Sequence, residues 1–141
     1  MTRPKNPPYA WGTDVPAERS RGEIESTLQR FGADQFGYGV QVNRAVIVFR
    51  ANCRQIRFVL PLPTEENPER RVKETRRRWR ALAMCIKAKL ESVATGIETF
   101  EESFMAHVIM PNGQTLAEHA LPLIEKAYAT GKMPPLLSFD P

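Results

Sequence analysis

The residues best placed to do chemistry in this chain are cations at helical spacing. Arg70, Lys73, Arg77, Arg80 and Lys87 recur three or four residues apart, interrupted by Met84, within a stretch from Asn67 to about Thr95. That spacing lines them along one face of a helix. Guanidinium and ammonium groups donate hydrogen bonds and accept none, and the arginine fork matches a pair of phosphate oxygens. The chemistry implied is binding of an anion. Arg54 and Arg57, on the strand that precedes the helix, are expected to assist if they face the same way.

Other constellations carry less. His107 and His119 are the only histidines, and with Glu98, Glu102 or Glu118 they form no ligand pair of specific spacing. The pairs Glu65-Glu66 and Glu101-Glu102 diverge by about 100° if helical, so they do not converge as an acid and a base. Cys53 has no histidine near it in sequence to act as its base, and two cysteines are too few for a disulfide framework. No phosphate loop, dinucleotide fingerprint or metalloprotease helix is present. The sequence therefore predicts no catalytic residue, no metal site and no cofactor, and the expectation is a protein that is not an enzyme.

The cations need a scaffold, and the same stretch supplies part of it. Val72, Thr75, Trp79, Leu82, Ala83, Ile86, Leu90 and Val93 form an apolar stripe whose centre lies roughly 130° from the basic one. Arg71, Arg78 and Lys89 flank the seam, with stems able to cover the core edge. Asn67-Pro68-Glu69 gives the start: a capping side chain, proline at the first helical position and an acid in the first turn. The helix would be on the order of 40 Å long.

Upstream, Ser20 to Phe31 reads as a helix opened by a capping box at Ser20 and Glu23 and closed at Gly32, with Ile24, Leu28 and Phe31 inward. Three strands follow: Gln35 to Val42, Ala45 to Arg50, and Arg54 to Leu60, joined by short turns at Asn43-Arg44 and Ala51-Asn52-Cys53. In the first, Gly37 and Gly39 leave bare backbone on one face, where another segment can approach closely. Downstream, Ile97 to Val108 reads as an acidic helix with Phe100, Phe104 and Val108 inward. Thr115 and Glu118 form a second capping box, opening a helix to about Tyr128 with a bend at Pro122. The tail Met133 to Pro141 is expected to lie extended on the core.

The fold class predicted is α+β: a three-stranded antiparallel sheet with an N-terminal helix and a long basic amphipathic helix, followed by a helical C-terminal subdomain. The parts are an extended Pro-rich arm (1–19), an α-β-β-β-α core (20–95), and an acidic helical subdomain with its tail (96–141). The chain has 141 residues, 42% hydrophobic and 26% charged, as in ordinary globular proteins. Its net charge of +4 conceals a split. Residues 1–90 hold 18 Lys/Arg against 9 Asp/Glu, and residues 91–141 hold 2 against 7. No apolar run approaches the roughly 20 residues of a membrane span, and no apolar stretch follows Met1-Thr2-Arg3-Pro4-Lys5 as a signal peptide would require. A cytoplasmic protein without membrane contact is expected.

Two resemblances attach to these residues. The order helix–strand–strand–strand–helix over Ser20 to Val93 resembles the topology of double-stranded RNA-binding domains, whose second helix presents basic residues to phosphates across a groove. That resemblance implies such a role for Arg70, Arg71 and Lys73. The stretch Arg76 to Phe104, together with Ile56-Arg57-Phe58-Val59-Leu60-Pro61-Leu62-Pro63, resembles an uncharacterised small-protein family of bacteriophages and prophages. It implies a phage origin, and with it the cytoplasm of a host cell, and carries over no site residue. The function expected is nucleic-acid binding, DNA or RNA, through phosphates without base-specific readout. The alternative is a protein-interaction module that inhibits or modulates a host complex by setting the same basic surface against an acidic one.

Overall fold

The computed structural model describes residues 15–137, so the arm expected at the N-terminus lies largely outside the described residues. Helix α1 runs Val15–Arg30, strand β1 Gln35–Val40, β2 Arg44–Ala51, β3 Arg54–Pro61, helix α2 Pro68–Ala94, the short helix α3 Phe100–Phe104, and helix α4 Leu116–Thr130. The strands form one antiparallel meander in the order β1-β2-β3. The class is α+β, as the patterning predicts.

Period-two alternation sets the sheet. Ala45, Ile47, Phe49, Ala51, Ile56 and Phe58 are buried on one face, and register places Phe49 across from Ile56 and Ile47 across from Phe58. The first two helices cover that face. Trp79, Leu82, Ile86 and Leu90 are the buried residues of α2, all from the stripe the spacing picks out. They join Ile24 and Leu28 of α1 and the inward strand residues in one core. Asn67 caps α2 as expected, its side-chain oxygen accepting from the backbone N–H of Glu69 at 2.9 Å and of Arg70 at 3.1 Å.

Three expectations are corrected. Helix α1 already includes Val15, so Ser20 stands inside it rather than at its cap. The inward stripe continues through Ala17, Ser20 and Arg21, all buried, and tertiary contact with α2 overrides the local capping signal. Strand β1 ends at Val40, and Val42 is almost fully exposed. The helix expected over residues 97–108 shrinks to α3, capped reciprocally by Thr99 and Glu102, and a 3-10 turn over Met105–His107. Val108 and Ile109 instead run along the outer edge of β3, where Ile109 N–H donates to Gln55 O at 2.8 Å. Phe100 and Phe104 of the C-terminal segment are buried in the same cluster as the sheet, with Phe104 edge-on to Phe49 and Phe58.

Helix α4 opens on the predicted capping box of Thr115 and Glu118 and closes at Gly131, whose φ of 74° lies in the left-handed region. It runs through Pro122 as one helix. Of its residues only Ala120 is buried, while Leu121, Ile124 and Tyr128 form an exposed apolar stripe. In the tail Leu136 is half-buried and Leu137 exposed, and Phe139 lies outside the described residues.

His107 stacks on Phe58 at 3.9 Å between ring centres. Burial, then the nearby charge of Lys89, holds its pKa below the ordinary value of 6.5. A depressed histidine pKa stabilises the fold fully above the unfolded value, and this contribution is lost as pH falls below it. Stability measured by denaturant titration should decline as pH is lowered from about 7 to about 5. His107→Gln should flatten that part of the decline; an unchanged profile would place the titration elsewhere. Trp79 is only 1% exposed, so Trp79→Ala should cost roughly 3–5 kcal/mol in thermal or chemical unfolding.

Candidate functional site

The exposed face of α2 collects the cations. Arg70, Lys73, Arg76, Arg77, Arg80 and Lys87 are all exposed, along a length of about 25 Å between the first and the last. Two open grooves border the ridge. One is lined by Arg70, Lys73, Arg76, Arg77 and Arg80 together with the Pro63–Glu65 segment. The other lies between α1 and α2 and is lined by Arg19, Glu23, Arg30, Arg80, Met84 and Lys87 among others. Arg80 stands in both.

Local acids moderate the ridge without neutralising it. Glu74 pairs with Arg77 at 3.1 Å and with Arg78 at 2.9 Å, and the bonds from Arg78 and then Arg77 hold its carboxyl below the usual value. Glu65 approaches Arg70 at 3.9 Å. Among the described residues Lys73, Arg76, Arg80 and Lys87 have no acid within ion-pair distance. Exposed pairs of the first kind contribute little and exchange readily with other anions.

The flanking cations behave differently. Arg71 donates to Glu65 O at 2.9 Å, Arg78 to Pro61 O at 2.9 Å, and Lys89 to Ser103 O at 2.9 Å. These three tie α2 to the loop before it and to α3. Arg21 is 6% exposed, its guanidinium 4.7 Å from the ring centre of Tyr38 and 5.0 Å from that of Trp79. Such a cation between two aromatic faces is held by their quadrupoles, and its Nη1 has no hydrogen-bond partner among the described residues.

Arg54 and Arg57 do not join the ridge. Arg57 donates to Glu118 at 2.7 Å and to Gly113 O at 3.1 Å, and Arg54 approaches Glu101 at 3.7 Å. The backbone N–H of Thr115 first, and then Arg57, lower the pKa of Glu118. Both arginines are thus engaged by the acidic C-terminal third, on the strand rather than on the helix face. No acid from residues 98–137 pairs with the ridge among the described residues, so that third leaves it open.

Three cations of the grooves escape a reading of α2 alone. Arg76 falls between the two stripes, and Arg19 and Arg30 belong to α1. Arg19, Glu23, Ser26 and Arg30 share one helical face at spacings of four, three and four. That signal is lost when the helix is started at Ser20. The two histidines are placed apart: His107 lies on Phe58, and His119 Nδ1 is 3.4 Å from Asn112 Nδ2. No group of three or more His, Cys, Asp or Glu is placed to hold a metal among the described residues. None of the described helices is long and apolar enough to cross a membrane.

The two classes of arginine should separate on mutation. Arg57→Leu removes a half-buried guanidinium from a carbonyl and a carboxylate and should cost up to about 1.5 kcal/mol. Arg80→Ala should change stability by less than about 0.5 kcal/mol in the same denaturant titration. Equal losses would mean that Arg80 is structural too.

No family model, curated protein or solved structure matches the chain.

Proposed function

We propose that the protein binds nucleic acid, DNA or RNA, through contacts between phosphates and the basic face of α2, without base-specific readout. One observation carries the reading: a rigid helix holds Arg70, Lys73, Arg76, Arg77, Arg80 and Lys87 in water, and four of them have no counter-ion among the described residues. Holding them there costs self-repulsion, which an anionic polymer relieves. Phosphates satisfy such a row at any sequence, because backbone contacts position a protein without reading bases. Arg19 and Arg30 extend the row across the groove between the helices. Arg54 and Arg57 are left out of it. The reading suits a phage-type protein at work in the cytoplasm of a host cell.

The exposed stripe of Leu121, Ile124 and Tyr128 favours a second reading, a protein-interaction module that covers this apolar stripe with a partner and sets its basic surface against an acidic one, inhibiting or modulating a host complex. A salt titration separates the two. Against polyanionic DNA or RNA of unrelated sequences, log affinity should fall linearly with log salt, with a slope reporting about four to six neutralised phosphates. Lys73→Glu combined with Arg80→Glu should weaken binding to every sequence by a similar factor, on the order of ten-fold or more, and reduce the slope by about two. The circular dichroism spectrum should not change. Unaltered affinity in this variant removes the ridge from the site, and no affinity for any nucleic acid at low salt favours the second reading.

A further inference from the structure

Among the described residues, strand β1 is the open edge of the sheet: the outer edge of β3 is met by Val108 and Ile109, whereas β1 pairs with β2 alone. Backbone phase follows from one bond: Gln41 N–H donates to Arg44 O at 2.7 Å. Alternation along an antiparallel ladder then turns Gly39, Gly37 and Gln35 toward β2. Phe36, Tyr38 and Val40 therefore direct their N–H and C=O groups outward. Such a row is a template for another strand, and proteins commonly blunt it with charges or proline. Gln35–Val40 contains neither.

We propose that a second copy of the chain pairs antiparallel along β1, about a two-fold axis at Tyr38, joining the two three-stranded sheets into one. The sequence of the edge is what selects a second copy over an unrelated peptide. Phe36-Gly37-Tyr38-Gly39-Val40 reads as apolar, glycine, tyrosine, glycine, apolar in both directions. With Tyr38 opposite Tyr38 of the second copy, Gly37 faces Gly39 and Phe36 faces Val40, each pair on the same side of the sheet. The outward groups of Phe36, Tyr38 and Val40 are then all satisfied. Charge fits at both ends. Asp34, at one end of the edge, has a side chain 61% exposed and 3.8 Å from Arg50, and antiparallel pairing brings it toward the turn of the second copy that carries Arg44. Arg44 hydrogen-bonds Gln41 within its own chain and has no acidic partner among the described residues. A neutral, self-complementary edge closed by opposite charges needs no third component.

Tyr38 is already fixed for this role. Its ring lies under Arg21 and edge-on to Trp79 at 6.1 Å, yet it stays 48% exposed at the sheet edge. The axis stands normal to the sheet, so the helices of both copies lie on the same side. Pairing is independent of what the ridge binds; where the phosphate reading holds as well, one face presents two ridges.

Sedimentation or light scattering of the full chain, over a concentration series reaching the millimolar range, tests the pairing. The wild type should show the mass of two chains. A Cβ at Gly37 or Gly39 meets no atom within 4 Å, and neither glycine has a left-handed φ, so both accept side chains in a single chain. Gly37→Lys with Gly39→Lys sets lysine opposite lysine twice and should halve the mass without altering circular dichroism. Gly37→Glu with Gly39→Lys sets opposite charges across the same pairs and should restore the mass of two chains. If the double lysine variant does not fold, Val40→Pro replaces it, since that N–H already points outward; it too should halve the mass. A wild type of single-chain mass throughout overturns the proposal. So does a folded double lysine or Val40→Pro variant that keeps the wild-type mass, or a charge-swapped variant no heavier than the double lysine one.

Discussion

Burial of one face of α2 is the constraint on which the rest of the structure depends. A helix of 27 residues cannot be stable in water on propensity alone at the stability a protein needs, and Trp79, Leu82, Ile86 and Leu90 supply the packing. They fix its rotation about its own axis. Once that rotation is set, the positions of every cation on the helix follow from their spacing, with no further interaction needed to hold them out. The ridge is a consequence of the core. Exposed arginines that no acid satisfies would be free to sweep through solvent on a loop; on a packed helix they are restricted to one line.

The same packing sorts the arginines into three environments. Arg71 and Arg78 lie half-buried and donate to backbone carbonyls, which holds α2 against the loop that delivers it from β3. Arg21 goes further inward and exchanges water for the faces of Tyr38 and Trp79, leaving one nitrogen without a partner among the described residues. A cation so placed is costly unless its surroundings are polarisable, and two aromatic faces provide that. Arg54 and Arg57 bind acids of the C-terminal third and thereby offset part of the charge asymmetry visible along the chain. What is left over among the described residues is chiefly the ridge, with Arg19 and Arg30 from the neighbouring helix and Arg44 at the start of β2.

The C-terminal third serves the sheet more than it serves itself. Phe100 and Phe104 complete the core, Ile109 covers the β3 edge, and Glu118 holds Arg57. Helix α4 then projects with little buried surface, Ala120 being its one buried residue. Among the described residues the two sheet edges end up unlike: one closed by this segment, the other unpaired.

The sequence by itself determined the elements whose signal is local and periodic. The two apolar stripes of α2 and the strands, the Asn67-Pro68 start and the Thr115–Glu118 box depend on neighbours three or four residues away, or two in a strand, and the fold repeats them. The ridge residues on α2 other than Arg76, which falls between the stripes, were legible for the same reason. Tertiary structure decided whatever required knowing what a face packs against. Ser20 looks like a cap because its hydroxyl and Glu23 are correctly spaced, but contact with α2 carries the helix past it. Val108 looks helical by spacing, yet the unpaired backbone of β3 recruits it. Arg54 and Arg57 look like part of a basic patch until Glu101 and Glu118, distant in sequence, are brought beside them. Charge has no periodic signature of its partner, so only the folded chain could show which arginines were satisfied and which were left to meet something else.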